Sequence, residues 1–149
     1  MFGMVTKDET FNDDFDAIIG MAYPEFAEPG VVPFFDALMA TGTMTKNVFA
    51  FHMSLNPEKE MSELMLGDWD ESKFEGNLKW YPVVHRRFWS IALDDVLIGG
   101  VSLGFCKYRK CLITPDSGTT SITFPSLAYD QFAKNYGGSV ECEAGFEYN

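Results

Sequence analysis

Apolar positions recur four residues apart after Val32 and two apart from Asn47 onward, which predicts a short helix followed by a strand. Phe34 and Leu38, and Phe35 and Met39, keep the helical spacing; Pro33 suits a first helical position and Gly42 closes the segment. From Asn47 to Leu55 the residues alternate, with Val48, Ala50, His52 and Ser54 opposite Phe49, Phe51, Met53 and Leu55. The second set predicts an apolar, core-facing side, and His52 falls on the more polar face as a structural or exposed residue. Trp89, Ile91 and Leu93 form another one-sided set, running into Val96 and Ile98 before Gly99-Gly100. Ser126 is placed to cap a helix through Tyr136, with Leu127, Phe132, Ala133 and Tyr136 inward and Gly137-Gly138 as its stop. Residues 56–63 combine Asn, Pro and charges and predict an exposed loop. The pattern is mainly β with short helices, and it contains neither an internal repeat nor a low-complexity tract.

Composition narrows the class without naming it. The 149 residues amount to about one domain by length, and 46% hydrophobic with 15% aromatic residues is enough for a core. No apolar run approaches the roughly 20 residues that span a bilayer. Met1-Phe2-Gly3-Met4 lacks the charged start and apolar stretch of a signal peptide. A net charge of -11 argues against nucleic-acid binding, which needs clustered Lys and Arg to neutralise phosphates. His85-Arg86-Arg87 and Lys107-Tyr108-Arg109-Lys110 are short basic clusters of the kind found on solvated turns. An acidic chain sheds self-repulsion as its carboxylates protonate, which suits an acidic compartment.

Two features carry chemistry. Asp116-Ser117-Gly118-Thr119-Thr120 puts a carboxylate among small residues that supply hydroxyl and backbone donors. On its own the run suits a surface turn as well as a catalytic one. Cys106 and Cys111 stand close together; a zinc site would want further Cys or His ligands, and the histidines are His52 and His85 alone. Cys142 is a third, odd cysteine, and no Asn-X-Ser/Thr glycosylation site is present.

The wider context is a resemblance covering nearly the whole chain. Phe15-Asp16-Ala17-Ile18-Ile19-Gly20-Met21-Ala22-Tyr23-Pro24 is similar to a segment of the pepsin-like aspartic endopeptidases. Val32-Pro33-Phe34-Phe35-Asp36 and Asn47-Val48-Phe49-Ala50-Phe51 resemble that family's helix and next strand. Leu64 to Asp70 and Gly76 to Val83 resemble its hairpin, and Phe88-Trp89-Ser90-Ile91 the strand leading toward its second catalytic turn. The order and spacing of these blocks follow the family.

The resemblance implies part of a bilobal pepsin-like acid protease fold. Residues 1–56 would be the end of the first lobe with the interlobe segment, and 57–149 the first part of the second lobe. Asp116 would be the second-lobe catalytic aspartate. Its first-lobe counterpart is expected upstream of Met1, since the sequence holds no second Asp-Ser/Thr-Gly. The same likeness implies a Cys106–Cys111 disulfide and a partner for Cys142 beyond Asn149. Ser117 and Gly118 would shape the turn, Gly118 by bringing its amide to the carboxylate. Thr119 would buttress the turn through a hydroxyl bond to the opposite lobe, and Thr120 would face substrate.

Chemistry of this class needs two carboxylates sharing a proton, no cofactor and no metal. Its substrates would be polypeptides, and its setting lysosomal, vacuolar or secreted. The chain would need the first lobe for a complete site and be inactive by itself. Two other readings remain at this stage: a non-catalytic binding module on the same scaffold, and a half-protease that pairs Asp116 from two copies. Two departures from the family pattern stand near the site. Pro115 precedes the aspartate where an apolar strand residue is usual, so the strand entering the turn is expected to be altered. Phe124 stands before Pro125 where glycine is common, and is expected to reshape a nearby subsite.

Overall fold

A computed structural model describes residues 3–4 and 17–136. Phe15, Asp16, Gly137-Gly138 and Cys142 lie outside them. The chain divides into two compact units, within residues 1–91 and 92–149. The described residues form seven short strands and two α-helices, so the mainly β reading holds.

In the first unit, α1 (Phe34–Ala40) begins directly after Pro33, whose ring cannot supply an amide donor and whose carbonyl accepts from Ala37 N–H at 2.9 Å. Phe35 is its buried residue, and its ring meets Phe49 edge-on with centroids 5.0 Å apart. Strand β1 (Phe49–His52) pairs antiparallel with β2 (Glu63–Leu66), placing Phe49 opposite Leu66 and His52 opposite Glu63. Trp89 joins Phe49 edge-on at 5.2 Å and Tyr23 at 4.4 Å, and its indole N–H donates to the Met21 carbonyl at 2.8 Å. A half-buried indole needs such an acceptor, and this one ties the 17–24 segment to the aromatic cluster. Strand β3 (Val83–His85) pairs with β4 (Ser90–Leu93) through an irregular register between Val83 and His85.

The expected burial of the 47–55 stretch holds at Phe49, which is half-buried, and fails beyond it. Phe51, Met53 and Leu55 are exposed, Leu55 completely, whereas Ala50 and His52 on the other face are half-buried. Alternation correctly separates the two faces, but burial depends on what packs against each. Glu60 of the 56–63 loop and Glu63 of β2 lie against His52, whereas on the other side only Phe49 is packed, against Phe35 and Trp89. Trp89, Ile91 and Leu93 are half-buried as expected, but Ser90 between them is buried more deeply, so the strand start is covered on both faces.

In the second unit, β5 (Leu97–Ile98) and β6 (Val101–Ser102) form a hairpin around Gly99 and Gly100. Both glycines have positive φ, 56° and 81°, as a two-residue turn matching strand twist requires. Strand β7 (Cys111–Ile113) leads toward Asp116, and α2 (Ser126–Tyr136) follows. Phe124 packs edge-on against Phe105 at 6.1 Å and stacks on Phe132 at 5.5 Å; Phe132 in turn stacks on Tyr136 at 5.9 Å. This aromatic row fixes α2, together with Ala128, which is buried. Leu127, expected inward, is 64% exposed, because the helix turns Ala128 and Phe132 to the packed side. Ser126 is the first residue of α2 itself, and the Pro125 carbonyl accepts from Ala128 and Tyr129 N–H at 2.8 and 2.9 Å.

Candidate active site

Strand β7 stops at Ile113, and Thr114 and Pro115 continue outside any ladder. Pro115 has no N–H to give a neighbouring strand, so the chain is released into a turn one residue before the carboxylate. Asp116 to Thr120 are all exposed. The Asp116 carboxylate is held at both oxygens. Gly118 N–H donates to Oδ1 at 2.9 Å, and the Thr119 hydroxyl donates to Oδ2 at 2.7 Å. Thr119 N–H also donates to the Asp116 carbonyl at 3.3 Å, which closes the turn.

A Cβ on Gly118 would stand 3.4 Å from Asp116 Oδ1, an ordinary contact, so it is the Gly118 amide rather than the missing side chain that engages the carboxylate. The Thr119 hydroxyl, expected to reach across to the opposite lobe, is directed at Asp116 itself. The three-residue spacing of Asp and Thr is the sequence signal for this bond, since an Asp carboxylate readily folds back on the residues that follow it. Ser117 and Thr120 present exposed side chains on the same turn. Two well-directed donors orient the carboxylate without covering it, the requirement for a group that must exchange a proton with a bound water.

Behind the turn, Cys106 and Cys111 are joined by a disulfide, with Cα atoms 5.5 Å apart. Cys106 is buried, and Cys111 is the first residue of β7, so the bridge anchors the strand at the end remote from Asp116. Among the described residues no three His, Cys, Asp or Glu side chains gather as metal ligands, and no helix is long and apolar enough to cross a membrane. Phe124 turns its ring into the row with Phe105 and Phe132.

The sequence matches the eukaryotic aspartyl protease family over residues 1–148. The chain belongs to that family. Among its curated relatives, cathepsin E of Oryctolagus cuniculus is 40% identical over 153 residues, covering 95% of this chain and 38% of the relative. Pepsin-2B of Gadus morhua is 35% identical over 125 residues, covering 84% of the chain and 37% of the relative. Pregnancy-associated glycoprotein 1 of Sus scrofa is 41% identical over 126 residues, 85% of the chain and 32% of the relative. The chain thus spans 32% to 38% of the length of these relatives. Membership accounts for the mainly β architecture with short helices.

One cluster went unread in the sequence. His52, Glu60, Glu63 and Lys73 come together beside the β1–β2 ribbon, with Lys73 Nζ 2.9 Å from Glu60 Oε1 and 3.4 Å from Glu63 Oε1. Their separations, up to 21 positions along the chain, carry no local signal, because pairing of β1 with β2 is what assembles them.

Proposed function

We propose that this chain contributes one of the two catalytic carboxylates, Asp116, to an aspartic endopeptidase. The observation that carries the reading is the Asp116 carboxylate itself: exposed, fixed by donors at both oxygens, and set in a chain of the aspartyl protease family. The partner aspartate would come from the first lobe. Two carboxylates at close range resist double ionisation, so one holds a proton while the other removes a proton from the water lodged between them. That water attacks the scissile carbonyl, and the protonated carboxyl donates to the developing oxyanion. No covalent intermediate forms, and raising the pH removes the shared proton and stops the reaction. Substrates would be polypeptides cleaved between bulky apolar residues, in an acidic lysosomal, vacuolar or secreted setting.

The test expresses residues 1–149 within the full coding sequence of their source and follows hydrolysis of an internally quenched peptide with an apolar pair at its centre. Hydrolysis is expected at acid pH, falling about a thousandfold or more in Asp116→Asn. Undiminished hydrolysis in that variant would overturn the proposal. Residues 1–149 alone are expected to be silent.

A further inference from the structure

His52 lies opposite Glu63 in the β1–β2 ribbon, and only 18% of its side chain is exposed. Its Nε2 is buried and makes no hydrogen bond. A buried polar atom without a partner is costly, which makes its surroundings informative. Glu60 Oε1 stands 3.3 Å away, close enough for an ion pair but outside hydrogen-bond geometry. That same oxygen receives Lys73 Nζ. Glu63 faces His52 from β2, Lys73 from the single helical turn Glu71–Lys73, and Asp70, which starts that turn, lines the same cavity as His52 and Lys73. Lys59 lines a second hollow with His52 and Glu60. Three carboxylates therefore face two ammonium groups around the imidazole.

We propose that His52 is an acid-engaged latch: on taking a proton from solvent, its Nε2–H donates to Glu60 Oε1 and fastens the 56–63 loop to the ribbon. The step forms one N–H bond, converts imidazole to imidazolium and needs no other reactant. Glu60 is well placed to be the fastened group. Its own N–H and that of Lys59 both donate to the Asn56 carbonyl, at 3.1 and 2.9 Å, so Glu60 belongs to a closed turn that is held as a unit. At the far end of the loop, Ser62 Oγ accepts from Ser54 N–H at 3.0 Å.

The latch has an upper and a lower limit. Because the latch closes by gaining a proton, engagement comes as the medium acidifies. The Glu60 carboxyl is held below its ordinary value of 4.5, first by the Lys73 hydrogen bond and then by the Lys73 charge. A carboxyl lowered in this way keeps its stabilising role above that value and loses it as the pH falls further. The latch is thus closed in mild acid, and opens again when Glu60 takes a proton.

Amide exchange of the full chain at residues 54–63 tests this, comparing wild type with His52→Gln and Glu60→Gln at each pH so that intrinsic rates cancel. At pH 5.5 the Lys59 and Glu60 amides are expected to exchange about two- to fivefold more slowly in wild type than in His52→Gln. At pH 7.5 that ratio should approach one. Glu60→Gln also removes the Lys73 bridge, so its ratio should exceed one at both pH values yet be larger at 5.5. Because Glu60 is half exposed, this second variant keeps the test open if His52→Gln disturbs packing. Ratios that do not change between the two pH values in either variant would overturn the latch. The measurement involves no hydrolysis and stands apart from the proposed protease activity.

Discussion

Thr119 Oγ1 donates to Asp116 Oδ2 at 2.7 Å, so one oxygen of the candidate catalytic carboxylate is fixed by a residue of its own turn. Replacing Thr119 by Val keeps the shape and removes only this donor. On an exposed turn a hydrogen bond to a charged group contributes less than the ~1.5–3 kcal/mol of a shielded one, so kcat/KM for peptide hydrolysis should fall by up to about tenfold. Serine at position 119 should restore most of it, as steady-state kinetics on the complete protein would show.

The disulfide closes a short loop. For a sequence separation of five, loss of chain entropy in the unfolded state corresponds to about 2 kcal/mol. Converting both Cys106 and Cys111 to Ser should lower the urea midpoint of the unit within residues 92–149 accordingly. Reduction of the wild type should reproduce the shift, and reduction of the double variant should not add to it.

Phe124 stands in for the glycine common at its position and spends its ring on packing. Phe124→Ala removes stacking on Phe132 and the edge contact with Phe105, and should destabilise α2 by about 2 kcal/mol. Amide exchange along Ser126–Tyr136 reads this directly. Phe124→Leu should recover part of the loss, since an apolar body remains between the two rings.

Asp68 gives a pH dependence with a definite sign. Its carboxyl lies below the ordinary 3.8, first through the 2.7 Å hydrogen bond from Lys46 Nζ and next through Trp69 N–H at 2.9 Å. A carboxyl lowered by folding contributes stability above its ordinary value and loses it as acid protonates the folded group. Lys46→Met should therefore lower the urea midpoint at pH 6 and have little effect at pH 2.5. The pair is exposed, so 1 M salt at pH 6 should also shrink the difference.

Local rules found the helices and the turn, because those depend on residues near one another. Pro33 and the four-residue repeat placed α1, and the run from Ser126 placed α2 to its last described residue. Asp116-Ser117-Gly118 carried the candidate site openly, and Pro115 announced the early end of β7. Burial was less legible. Alternation divided β1 into two faces, but only the fold decides that His52 is covered and Phe51 is not. Leu127 misled for the same reason, since Ala128 and Phe132 fit the aromatic row better. The ion cluster on Lys73 was out of reach, being built from positions that only strand pairing brings together.

The exposed apolar side chains of Phe51, Met53 and Leu55 bear on how copies of residues 1–149 behave toward one another. At neutral pH a net charge of -11 keeps molecules apart by mutual repulsion. Acidification protonates the carboxylates that supply the charge, while leaving the apolar strip as sticky as before. Colloidal stability of residues 1–149 by themselves therefore declines toward acid pH, with Phe51, Met53 and Leu55 among the exposed apolar side chains through which two such chains would adhere.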